Sequence, residues 1–351
     1  TAGVSFWQAE LLIHVYAPSE LEPELDVVEG GGEGEESTSP CTQWIVPRRD
    51  FEGMWNSLVL EPNVKERLLE YSTSAMLFAQ SGVDGHVISW NRVVLLHGPP
   101  GTGKTTLCKA LAHKLSIRLA HLYPNAVLVE VHSHSLFSKW FSESGKLVAR
   151  LFEHIQELVE DQGTLCCVLI DEVESLTAAR TSAMNGAEPS DAVRVVNAML
   201  TQLDTLKRFP NVITLCTSNL AEAIDVAFID RADIKQYIGL PPVQARYTIL
   251  RSAMLELMRV GIVAPAADVA TMAELQLDSA KQADSLEALL FDVAVKAAEL
   301  SGRTLRKLPF LAHASYVQQA QCSPLEYVRA MDAAVQDELA DRADLGAEED
   351  R

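Results

Sequence analysis

His97-Gly98-Pro99-Pro100-Gly101-Thr102-Gly103-Lys104-Thr105-Thr106 sets the fold of this chain. It contains Gly98-x-x-x-x-Gly103-Lys104-Thr105, the pattern of a phosphate-binding loop. The apolar run Arg92-Val-Val-Leu-Leu-His97 ahead of it reads as a buried strand, and Thr106 to Leu115 behind it reads as a helix. Strand, glycine-rich loop and helix in that order are the context this motif requires. Glycines let backbone N–H groups crowd around phosphate oxygens. The following helix adds its positive N-terminal end. Gly98, Pro99, Pro100, Gly101, Thr102, Gly103, Lys104, Thr105 and Thr106 are therefore the candidate phosphate cradle. Lys104 would reach the outer phosphates, and Thr105 would offer its hydroxyl to Mg²⁺. The alternative is a Gly/Pro-rich turn with a chance lysine, which leaves the flanking strand and helix unexplained.

From Val93 onward, strands and helices alternate. Strands are expected at Ala126–Val131, Thr164–Asp171, Asn211–Asn219 and Ile234–Leu240, with helices at Ser144–Glu160 and Ser190–Leu206. This alternation predicts an α/β fold with a mostly parallel sheet covered on both faces. After Pro241-Pro242 only helical patterns follow, at Val243–Arg259, Ser285–Leu300, Thr304–Val317 and Pro324–Arg342, as in a smaller lid domain. Upstream, Val64 to Phe78 reads as an amphipathic helix and Cys41 to Leu60 as a packed segment around Trp44, Phe51 and Trp55. Val4 to Tyr16 can supply a strand or two. Residues 20–39 form an acidic, Gly-rich stretch read as a flexible loop.

The 351 residues allow two or three domains, and 48% apolar content is normal for a globular protein. A net charge of −19 argues against a duplex-DNA binder dominated by phosphate contacts. The six cysteines include no CxxC pair, so reduced, intracellular thiols are expected. No membrane span and no signal segment are expected either. The chain begins with Thr, which points to a truncated N-terminal region.

Five constellations carry chemistry. Cys167-Val-Leu-Ile-Asp171-Glu172 is an apolar strand ending in two carboxylates at the edge where the phosphate loop sits. Asp171 would orient Mg²⁺, through its water shell, and Glu172 would activate water as general base. Asn219, ending Leu-Cys-Thr-Ser-Asn219, would hold the attacking water or the γ-phosphate, or else merely turn the chain. Arg231, in Ile229-Asp-Arg-Ala-Asp233, would reach a neighbouring subunit's nucleotide, or else pair internally with Asp230 or Asp233. Arg303, in Ser301-Gly-Arg303, would contact the γ-phosphate from the lid, with Arg306 and Lys307 as close competitors. Lys139, Trp140 and Phe141 lie in a Ser-rich loop, where an aromatic pair can grip a polypeptide without reading its sequence, or tuck under the next helix. His132 and His134 lack a third metal ligand nearby.

Gly98–Thr105, Asp171-Glu172, Asn219 and the trailing helices together resemble AAA+ ATPases. The match narrows at Ser138–Leu147, Leu169–Leu176, Asp225–Gly239 and Ser301–His313. These runs look like the pachytene checkpoint protein 2 family, known in animals as thyroid receptor-interacting protein 13. The likeness covers roughly residues 40 to 335.

The resemblance implies an ATPase using ATP and Mg²⁺, usually a homo-hexamer, that remodels HORMA-domain proteins. It implies a HORMA-domain adaptor, control of meiotic chromosome axes and recombination, and spindle-checkpoint silencing. It places the protein in the nucleus on chromosomes, with room for a cytoplasmic or kinetochore pool, and expects no direct nucleic acid or membrane contact. The implied domains are 1–60, a partial N-terminal substrate- and adaptor-recruitment domain; 61–241, the large ATPase domain; 242–343, the lid; and 344–351, an acidic tail. Relatives commonly carry two arginines near the finger position; here Asp230 stands near the first, leaving Arg231. The rivals are a microtubule-severing or membrane-fusion AAA+ remodeller and a nucleotide-gated scaffold.

Overall fold

The computed structural model describes residues 13–25, 41–133, 144–175, 191–219, 224, 226–265, 269–277 and 285–349. The chain divides into two compact units. The first comprises Thr1–Trp55, Glu66–His97 and Thr105–Gln236; the second comprises Asn56–Lys65, Gly98–Lys104 and Tyr237–Arg351.

The first unit is built on a sheet. Its strands are β1 (Glu24–Leu25), β2 (Cys41–Ile45), β3 (Val93–His97), β4 (Asn125–His132), β5 (Thr164–Asp171), β6 (Val212–Ser218) and β7 (Ile234–Tyr237). They lie in the order β1-β2-β4-β5-β6-β3-β7. Pairs β4–β5, β5–β6 and β6–β3 are parallel, with Val129 opposite Val168, Val168 opposite Thr214 and Leu95 opposite Cys216. The central strands are apolar runs because both faces are covered. Val93, Leu95, Val129, Val168 and Ile170 face a core closed by α4 (Ser144–Glu160) and α5 (Asp191–Leu206), through Leu151, Phe152, Ile155, Met199 and Leu203. The alternate residues Val94, Leu96, Leu128, Leu169, Ile213 and Leu215 are buried as well, as the two-residue period of a strand requires. Register also aligns strand ends: His132 lies opposite Asp171, and His97 opposite Ser218. Polar residues at these ends therefore share one edge of the sheet.

The helices α1 (Met54–Ser57), α2 (Val64–Gln80), α3 (Lys104–Arg118) and α6 (Val226–Arg231) complete this part of the chain. Asn211 is fully buried between elements. Its amide donates to the carbonyls of Val159, Asp161 and Thr164 at 3.0, 3.1 and 2.8 Å, tying the end of α4 to the start of β5.

The remainder of the second unit is helical: α7 (Val243–Arg259), α8 (Met272–Leu277), α9 (Leu286–Lys296), α10 (Gly302–Ala312) and α11 (Pro324–Glu349). Tyr247, Met254, Leu290, Leu305, Tyr327 and Met331 form its core. Ser285 and Ser301 cap α9 and α10 by accepting from Ala288 N and Thr304 N. Such caps satisfy N–H groups that have no partner inside the helix.

Several expectations are corrected. Cys41–Ile45, read only as a packed segment, is a strand paired antiparallel with β4, an antiparallel edge on the mostly parallel sheet that was expected. Glu24–Leu25, inside the stretch read as a flexible acidic loop, forms a strand on β2; residues 26–40 lie outside those described. Backbone pairing decides both cases, and side-chain pattern does not reveal it. Of the Val4–Tyr16 stretch, residues 4–12 lie outside those described, and residues 13–16 carry no strand. The helix expected through Val317 ends at Ala312 and gives way to a π turn, His313–Val317, closed by Gln318 at φ 52°. The acidic tail continues α11 to Glu349. All six cysteines are buried free thiols. Among the described residues no helix is long and apolar enough to cross a membrane.

Candidate functional site

The phosphate loop lies in the second unit. Gly98 and Gly101 have φ of +140° and +74°, conformations that side chains resist. A Cβ on Gly98 would stand 2.2 Å from the Ile238 carbonyl oxygen. One on Gly101 would stand 2.7 Å from Ser301 Oγ. Thr102 Oγ1 donates to Pro99 O at 3.0 Å and braces the turn from within. Lys104 is buried, and its Nζ donates to the carbonyls of Gly98 and Pro99, each at 2.8 Å. The ammonium is thus held at the loop it would serve.

The first turn of α10 rests on the same loop. Arg303 N donates to Gly101 O at 3.0 Å, and the Arg303 side chain is exposed. Arg306 instead gives its guanidinium to Ser57 O at 2.6 Å, and Lys307 is exposed. Of these three residues, Arg303 meets the phosphate loop, through its main-chain N–H and not its guanidinium.

The two carboxylates lie in the first unit. Thr105 Oγ1 donates to Asp171 Oδ1 at 2.8 Å, and Thr217 Oγ1 donates to the same oxygen. Ser133 Oγ holds the Asp171 carbonyl at 2.7 Å. A threonine hydroxyl against a carboxylate oxygen is the donor set a hard divalent cation takes, so these residues fit Mg²⁺. The Asp171 charge is felt locally: burial first, then this carboxylate, pushes the Cys108 thiol well above its usual range.

Glu172 stands just past the strand with φ +57°, a left-handed conformation that costs a non-glycine residue roughly 1–3 kcal/mol. Thr217 holds it there: its Oγ1 accepts from Glu172 N at 3.1 Å, and its carbonyl accepts from Val173 N at 2.9 Å. Ser175 N and Oγ donate to Glu172 O at 3.0 and 2.7 Å. The bend turns the chain out of the sheet directly after Asp171. Asn219 Nδ2 reaches Glu172 Oε1 at 3.4 Å, and Asn219 N donates to Glu174 Oε1 at 3.0 Å. Asn219 lies one residue beyond β6 rather than in it.

Arg231 ends α6. Its Nε and Nη2 grip Asp204 at 3.1 and 2.6 Å, and Nη1 donates to Ala227 O at 2.8 Å. Neither residue named as its internal partner takes it: the partner is Asp204. Asp233 accepts instead from Tyr71 Oη at 2.6 Å, Asn91 N at 2.8 Å and Arg92 N at 2.7 Å.

Lys139, Trp140, Phe141 and His134 lie outside the described residues. His132 shares a 2.8 Å hydrogen bond with Thr42 Oγ1. Among the described residues no His, Cys, Asp and Glu group of three or more could hold a metal. Thr217, Glu174, Ser301 and Asp204 escaped sequence reasoning. Thr217 had a signal: it is a polar residue near the end of an apolar strand, beside the one bearing Asp171.

Residues 94–240 match the ATPase family associated with various cellular activities (AAA), and residues 242–339 match the TRIP13-like, AAA+ ATPase lid C-terminal domain. The chain is 52% identical over 349 residues to the pachytene checkpoint protein 2 homolog of Oryza sativa subsp. indica, spanning 96% of this chain and 73% of that protein. It superimposes on the solved structure of C. elegans PCH-2 with a TM-score of 0.80 at 37% identity, covering 93% of this chain and 79% of that one. A chain in an E. coli HORMA:CdnC:Trip13 complex shares the fold, with a TM-score of 0.63 at 17% identity over 84% of this chain and 94% of that one. A phosphate loop braced by a lid helix, two oriented carboxylates and half-identity to these relatives converge: the chain is a nucleotide-binding ATPase and belongs to the pachytene checkpoint protein 2 family of AAA ATPases.

Proposed function

We propose that this ATPase works as a homo-hexameric ring that uses ATP hydrolysis to remodel HORMA-domain proteins, delivered in part by a HORMA-domain adaptor. The observation that carries this is the half-identity to pachytene checkpoint protein 2 homologs along 96% of the chain, lid included. The biological setting is meiotic chromosome-axis and recombination control and spindle-checkpoint silencing, in the nucleus. Residues 1–60 would belong to a recruitment domain, 61–241 to the ATPase domain, 242–343 to the lid, and 344–351 to a tail.

The chain's own residues divide the work. Lys104 and the loop from Gly98 to Thr106 hold the phosphates of ATP. Thr105 and Asp171 would hold Mg²⁺, which when bound neutralises charge on the phosphate oxygens. Glu172 takes a proton from the attacking water. Asn219, in contact with Glu172, orients that water or the γ-phosphate. Arg303, on the helix that rests on Gly101, reports nucleotide state to the lid. Arg231 acts on a neighbouring subunit's nucleotide.

Lys139, Trp140 and Phe141 form the grip on the translocated segment. Trp140→Ala should keep ATP binding, ring assembly and turnover, yet lose remodelling of a closed HORMA protein. Peptide release measured alongside ATP turnover checks this, and persistence of remodelling would remove Trp140 from the pore. Binding partners without remodelling them is the scaffold alternative; HORMA-stimulated ATP turnover decides against it, and its absence would favour it.

A further inference from the structure

The half-buried Arg231 side chain is held at both ends of its guanidinium. A guanidinium has five N–H donors in a fixed plane. On one side, Nε and Nη2 meet the two oxygens of Asp204 at 3.1 and 2.6 Å. On the other, Nη1 meets Ala227 O at 2.8 Å. Two N–H groups are left over, one on each terminal nitrogen. That pair is the geometry that engages a phosphate in bidentate fashion.

The backbone on which Arg231 sits is pinned too. Ala232 N closes α6 on the carbonyl of Phe228 at 3.2 Å, and Asp233 N donates to Val93 O at 3.0 Å. The Asp233 carboxylate is gripped by Tyr71, Asn91 and Arg92. Asp204 has a second cation, Lys207 Nζ at 2.7 Å. Burial on its own would raise the Asp204 carboxyl; the hydrogen bonds from Arg231 and Lys207 outweigh it and hold the group below the usual carboxylate range. Asp204 is therefore a charged, bidentate anchor whose own position is fixed from α5.

We infer that Asp204 is the positioning residue of the arginine finger: it fixes the Arg231 guanidinium so that its remaining donor pair is aimed at the phosphate of an adjacent subunit's ATP. This rests on the proposed role of Arg231 between subunits. The logic is preorganisation. A donor already oriented costs no rearrangement when charge develops on the transferring phosphoryl group. The gain falls on the transition state, so kcat should suffer and ATP affinity should not.

The test is a double-mutant cycle in the whole chain, with ATP turnover, fluorescent-ATP affinity and melting temperature read for each protein. Asp204→Asn removes the charge and one acceptor and leaves the size. It should lower kcat on the order of 10- to 100-fold, the scale of a misplaced catalytic group, with KM for ATP nearly unchanged. Asp204→Glu, which can still engage both nitrogens, should recover part of the loss and covers the case in which Asp204→Asn folds poorly. Lys207→Ala, which spares the Asp204–Arg231 pair, should turn over ATP normally. Arg231→Ala should be at least as slow as Asp204→Asn, and the double variant no slower than Arg231→Ala alone. Additive losses in the double variant would overturn the positioning role. So would normal turnover in Asp204→Asn while Arg231→Ala is slow, and the finger would then stand without its anchor. Normal turnover in Arg231→Ala would remove the finger itself.

Discussion

Glu172→Gln should bind ATP within a few-fold of the wild type and hydrolyse it on the order of 10²- to 10⁴-fold more slowly, the usual worth of a positioned general base. Glutamine matches glutamate in size, and its side-chain oxygen can still accept from Asn219 Nδ2, now 3.4 Å from Glu172 Oε1. The left-handed backbone at residue 172 and the Thr217 bonds that hold it involve main-chain atoms, which the substitution leaves alone. Folding should therefore be preserved, with a stability change within about 0.5–1 kcal/mol. What disappears is a carboxylate able to take a proton. Steady-state turnover and nucleotide affinity measured on one preparation separate the two effects. Normal hydrolysis would move water activation to another residue, and Glu174, bonded to Asn219 N, would be the first to examine.

Gly98→Ala should be the most damaging single-atom change in the phosphate loop. The added Cβ would lie 2.2 Å from the Ile238 carbonyl oxygen and 3.0 Å from its carbon, both main-chain atoms that cannot swing aside. At φ +140° the backbone itself is also unfavourable for alanine. Strain of roughly 1–3 kcal/mol adds to overpacking of roughly 1–3 kcal/mol. The loop can relieve this only by moving away from Ile238, which takes Lys104 and its carbonyl partners with it. Thermal unfolding should shift down by several degrees, and ATP affinity should fall more than tenfold. Gly53→Ala makes the contrast: it carries φ strain at +74°, but its Cβ would meet nothing within 4 Å. Equal losses in the two variants would mean that the contact with Ile238 is irrelevant.

Where the chain spells out its structure, continuous burial is the reason. Val93–His97 and Thr164–Asp171 are short apolar runs because each strand is covered on both faces, and their ends carry the polar residues of the site. The phosphate loop was legible because its glycines and lysine recur at a spacing that backbone geometry demands. β2 was not. Its five residues, Cys-Thr-Gln-Trp-Ile, alternate poorly, and what holds them is main-chain pairing to β4 plus the Trp44 ring, whose centre lies 4.9 and 5.5 Å from the cations of Arg48 and Lys109. The partner of Arg231 was misjudged for a related reason. Asp230 and Asp233 are its neighbours in sequence, but α6 ends at Arg231 and turns the guanidinium toward α5, while Asp233 is occupied from α2 and the start of β3. Thr217 was overlooked because a threonine in a β-branched strand looks like packing; only its place beside the end of β5 gives it the Asp171 carboxylate and the Glu172 main-chain N–H to hold.

The most direct test of the remodelling function starts from a closed HORMA-domain protein locked around a labelled partner peptide. Peptide release is followed after addition of this protein and ATP, with and without a HORMA-domain adaptor. Release should require ATP, should accelerate with the adaptor, and should vanish with Glu172→Gln. A closed protein that keeps its peptide under every condition, while ATP is hydrolysed at the normal rate, would contradict it.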